Sequence, residues 1–72
     1  MIRVQAILRE ITPTYKLIET ITDSFLVEDE KAEATMDMVM KKHRSNYHYL
    51  YIMQNAETLQ EICRTTENKY QL

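Results

Sequence analysis

The sequence predicts an all-α protein, either a helical hairpin or a small three-helix bundle. Three observations carry this reading. The 72 residues contain no glycine. Apolar residues recur at steps of three and four, and the middle segment opens on acids and closes on bases. Tight hairpin turns call for positive φ, which glycine supplies most readily. A helix interior has no need of glycine, and asparagine can end a helix in its place. A chain 44% hydrophobic and 28% charged has the balance of a folded protein rather than a disordered one.

The first helix is expected near residues 2–26. Val4, Ile7, Leu8, Ile11, Tyr15, Ile18, Ile21 and Phe25 form its stripe, with Arg3, Arg9, Glu10, Lys16, Glu19 and Asp23 largely on other faces. Pro13 interrupts the stripe. Either Thr12 caps a helix that starts at Pro13, or one helix runs through with a kink. The stripe keeps its phase across the proline, which favours the kinked or closely stacked form.

The second helix is expected near residues 28–45. Glu28, Asp29 and Glu30 suit a helix N-terminus, and Lys41, Lys42, His43 and Arg44 suit a C-terminus. Ala32, Met36, Val39, Met40 and His43 share one face between them.

The third helix is expected near residues 47–69, with Ile52, Ala56, Leu59, Cys63, Thr66 and Tyr70 as a heptad-like seam. A turn, or a stutter within one long helix, separates it from the second. One stretch pulls the other way. Tyr47, Tyr49 and Tyr51 alternate with His48, Leu50 and Ile52, a pattern with strand propensity. Such a strand needs a mate, and the single candidate lies near Ile2–Leu8, whose spacing reads as helical. The expectation for both stretches is therefore helix, within a single domain over residues 1–72.

A chain this short buries too little surface to be more than marginally stable alone, and natural proteins of this size add disulfides, a metal or a partner chain. The one cysteine, Cys63, rules out an internal disulfide and favours a reducing, cytoplasmic setting. His43, His48 and Cys63 lack the spacing of a zinc site, so no metal and no cofactor is expected. A partner chain is left as the source of stability.

Catalysis finds no support. Cys63 lies on the apolar seam, His43 and His48 fall on different helical faces, and a glycine-free chain has no phosphate-binding glycine loop. A net charge of −2 argues against nucleic acid. No run approaches the roughly 18 apolar residues of a membrane span.

The methionines and tyrosines exceed what one small helical core can hide, and both are enriched at protein interfaces. The expected function is a helical interaction module, an adaptor or chaperone-like protein. It buries an apolar helix face against another chain or a copy of itself. The residues assigned to that face are Met36, Met40, Tyr47, Tyr51, Ile52, Leu59 and Cys63. The alternative is a helical regulator that sequesters a transcription or signalling protein, or binds nucleic acid directly.

Overall fold

The computed structural model describes residues 1–46 and 48–66. It overturns the all-α expectation. The described residues form a four-stranded antiparallel sheet, in the order β2-β1-β3-β4, with one α-helix against it. The strands are β1 (Ile2–Ile11), β2 (Leu17–Val27), β3 (Tyr49–Asn55) and β4 (Glu61–Thr65). The helix α1 (Ala32–Lys42) follows a single 3-10 turn, Asp29–Lys31. Of the three expected helices only the middle one forms. The end of the third, with Tyr70, lies outside the described residues.

The first expected helix is the β1–β2 hairpin. In β1, Ile2, Val4 and Ala6 are buried and alternate with half-buried Arg3, Gln5 and Ile7, the period of a strand. Ile7 and Ile11 are apolar residues on the other face, and mixing the two faces produces steps of three and four. In β2 the register slips, so that Ala6 pairs with Asp23 and Ile7 with Ile21. Thr22 is the extra residue of a β-bulge. The slip puts Ile18 and Phe25, seven apart, on one face, as a helix would.

Pro13 neither caps nor kinks a helix. It sits in the hairpin turn, whose Tyr15 N–H donates to the Thr12 carbonyl at 2.8 Å. Proline favours the second position of such a turn because its φ is already set. The Lys16 N–H donates to Thr12 Oγ1 at 3.1 Å and closes the loop.

The third expected helix is the β3–β4 hairpin. The mate of the tyrosine-bearing strand is the Ile2–Leu8 stretch itself, with Tyr49 opposite Leu8 and Tyr51 opposite Ala6. Tertiary pairing outweighs the local helical spacing here. In the connecting turn, Asn55 Oδ1 accepts from the Glu57 and Thr58 N–H groups at 2.9 and 3.0 Å.

The core lies between α1 and one face of the sheet. Ala32, Met36, Val39 and Met40 pack on Ile2, Val4 and Ala6 of β1 and on Tyr49 and Tyr51 of β3. No helix among the described residues is long and apolar enough to cross a membrane.

The glycine-free turns use left-handed backbone at non-glycine residues, Tyr15 and Leu59, both with φ of 62°. That conformation costs an ordinary residue about 1–2 kcal/mol, and glycine loses about 0.5–1 kcal/mol more chain entropy on folding. Leu59 is exposed, so truncating it sacrifices little packing. Leu59→Gly is expected to stabilise the fold by about 0.5 kcal/mol, read as a higher urea midpoint at unchanged slope. A lower midpoint would refute strain at this turn.

Candidate functional site

The residues assigned to a partner face scatter. Met36 and Met40 are buried beneath α1 and Tyr51 is fully enclosed. Ile52 pairs with Gln5 on the sheet face away from the helix, while Leu59 is exposed in the β3–β4 turn. Cys63 is exposed on β4, not buried in a seam. Tyr47 lies outside the described residues. Met36, Met40 and Cys63 do meet, with Met53, around a cleft of about 330 Å³ between α1 and β4 rimmed by Glu33 and Asp37. Ile52 and Leu59 are not part of it. Among the described residues no group of three or more histidines, cysteines or carboxylates is arranged to hold a metal.

A second cluster joins the helix end to the bulge. The extra residue at Thr22 turns Asp23 onto the helix face, where it is 8% exposed. The last turn of α1 reaches it twice. Lys42 Nζ donates to Asp23 Oδ1 at 2.8 Å, and His43 Nε2 lies 2.5 Å from Oδ2. Thr22 Oγ1 is 3.1 Å from both Asp23 Oδ2 and the Tyr49 hydroxyl. The His43 ring stacks on Tyr49 at 3.9 Å between centroids. Two of the bases that the sequence explains by the helix dipole alone, Lys42 and His43, thus share a buried partner 19 and 20 residues away in the chain.

Burial pulls the Asp23 pKa upward, but hydrogen bonds from Lys42, His43 and Thr22 outweigh it and leave the carboxyl below its ordinary value. The arrangement is a clamp. It holds α1 to β2 and aims no free nucleophile at a pocket.

The third feature is β2 itself. Among the described residues it is an edge strand, bonded only to β1. Leu17, Ile18, Ile21, Phe25 and Leu26 are each between 37% and 56% exposed. Register places Leu17, Ile21 and Leu26 on the face away from the helix and Ile18 and Phe25 on the other. A long edge strand with apolar side chains on both faces is a template for another chain. The other edge, β4, is only five residues and carries a Glu61–Arg64 ion pair at 2.7 Å, a protected edge by comparison. Sequence reading assigns Ile18, Ile21 and Phe25 of β2 to a helical stripe, and the bulge is what conceals the strand.

The sheet face away from the helix also carries arginines, but each has a local partner. Arg3 donates to Ser24 at 3.5 Å, Arg9 lies 3.8 Å from Glu19, and Arg64 is paired with Glu61. This is not the open basic field that phosphate backbones require.

Sheet, bulge and clamp together define a two-layer ββαββ domain with an open edge. No protein-family model, curated protein or solved structure matches the chain.

The clamp sets an acid dependence. Asp23, with its folded pKa below an unfolded value near 3.9, contributes stability that is complete above that value. The contribution is lost as pH falls through the lower folded pKa. Asp23→Asn is expected to cost about 1–3 kcal/mol at pH 7 and less at pH 3, read from urea midpoints. Lys42→Ala is expected to cost much less than Asp23→Asn, because its ammonium stands mostly in water. An equal loss at both pH values would refute the clamp.

Proposed function

We propose that the protein is a binding module without chemistry of its own, and that it recruits another polypeptide by strand addition to β2. The reading departs from the helical module expected from sequence. The only helix among the described residues turns its apolar face to the sheet, leaving none to offer a partner.

The observation that carries the proposal is the combination at β2 of a backbone edge with no strand beside it among the described residues and half-exposed apolar residues on both faces. Strand addition gains affinity from main-chain hydrogen bonds and specificity from alternate side chains. An incoming strand covers Leu17, Ile21 and Leu26 on one side and Ile18 and Phe25 on the other. Three things support protein over nucleic acid: the apolar character of this edge, the locally paired arginines and the net charge of −2. The exposed, unbridged thiol of Cys63 supports a reducing compartment such as the cytoplasm.

The test is photo-crosslinking in the native cell, with a benzophenone side chain at position 21 on β2 or at position 62 on β4. Specific polypeptide adducts are expected from position 21 and few from position 62. Equal labelling, or none from position 21, would end the strand-addition reading.

A further inference from the structure

We infer that the strand received by β2 is the β2 of a second copy of this chain, paired antiparallel about a two-fold axis near Ile21. The inference rests on the strand-addition reading and names its partner.

The self-match is built into β2. The bulge at Thr22 divides the eleven residues into Leu17–Ile21 and Asp23–Val27, five residues each. Antiparallel pairing of two copies sets the first half of one against the second half of the other. With the axis at Ile21, Leu17 of one copy faces Leu26 of the other and Ile18 faces Phe25, each pair on one face of the sheet, and the two bulges flank the axis. The halves also match in character, with Leu17, Ile18 and Ile21 in one and Phe25, Leu26 and Val27 in the other.

Charge fixes the direction. Lys16 stands just before β2 and Glu28 just after it. Antiparallel pairing brings Lys16 of each copy to the end of the other's β2, next to Glu28, so the favourable approach occurs twice. Parallel pairing would oppose Lys16 to Lys16 and Glu28 to Glu28. Asp23, the second acid of β2 besides Glu19, is already turned inward and held by Lys42 and His43. It adds no repulsion at the seam.

The other self-pairing, β2 on a neighbour's β4, fits less well. β4 has five residues against the eleven of β2, so about half of β2 would stay bare. That contact is also head-to-tail and propagates into an open fibre, whereas β2 on β2 closes on itself as a dimer with one eight-stranded sheet. An eleven-residue seam is about 35 Å long. Main-chain bonds along it, plus the half-exposed apolar residues, make an interface at the small end of stable sizes. The dimer population should therefore rise with concentration through the micromolar range.

Sedimentation equilibrium on the purified chain from 1 µM to 1 mM tests this. A monomer–dimer equilibrium is expected. Ile21→Lys, and separately Leu26→Lys should the first fail to fold, is expected to weaken it by about tenfold or more, whereas Ile62→Lys on β4 leaves it unchanged. Lys16→Glu and Glu28→Lys are each expected to weaken dimerisation, and the two combined to restore it. A monomer at 1 mM overturns the proposal. So does a dimer indifferent to both β2 lysines, or a double swap that fails to restore pairing. The crosslinking at position 21 separates this failure from that of strand addition. An adduct of twice the chain's mass supports the second copy. Adducts to other proteins from a monomeric chain overturn the second copy and leave strand addition standing, and no adduct at all sinks both.

Discussion

One helix of eleven residues covers a four-stranded sheet, and the rest of the molecule follows from that shortage. A helix of this length is about 16 Å long, shorter than β1 or β2. It packs on β1, β2 and β3, and its last turn holds Asp23 of β2. The core is therefore confined to Ile2, Val4, Ala6, Tyr49 and Tyr51 beneath Ala32, Met36, Val39 and Met40. Where the helix ends, a polar clamp takes over from apolar packing. Among the described residues the outer edge of β2 and the cleft beside β4 are left open.

The clamp is the more specific of the two devices that hold the helix. Apolar packing of methionines tolerates sliding and rotation, because the thioether side chain adapts to its surroundings. Asp23 does not. It accepts from Lys42, meets His43 edge-on, and His43 in turn lies flat on Tyr49 of the neighbouring core. The bulge at Thr22 creates this arrangement, because without it Asp23 would face away from the helix. A single inserted residue thus both aims the clamp and breaks the edge strand at its midpoint.

How much of this was legible in the sequence differs by element. The helix was, because Ala32, Met36, Val39 and Met40 fall on one face and charges of the right sign flank it. The β3 alternation and its mate at Ile2–Leu8 were legible as well. The apolar residues on both faces of β1 imitate a helical stripe and tip the balance the wrong way. β2 was concealed by its bulge, which gives Ile18 and Phe25 a helix-like separation of seven. The absence of glycine misleads for a physical reason. The turns obtain left-handed backbone from Tyr15 and Leu59 and steady it with hydrogen bonds to Thr12 and Asn55. The Asp23–His43 contact joins residues that only the folded sheet brings together, so no local pattern announces it.

The strand order also governs how the chain matures on the ribosome. β1 is synthesised first, yet it is an inner strand whose second neighbour, β3, emerges only after the hairpin and the helix. Until then a nascent β1–β2 ribbon has two bare edges rather than one, and a lone hairpin is at best marginally stable. Completion waits for a contact between distant parts of the chain, which slows folding. During that delay the newborn polypeptide is at its stickiest, and rapid elongation through residues 28–55 would shorten the exposure.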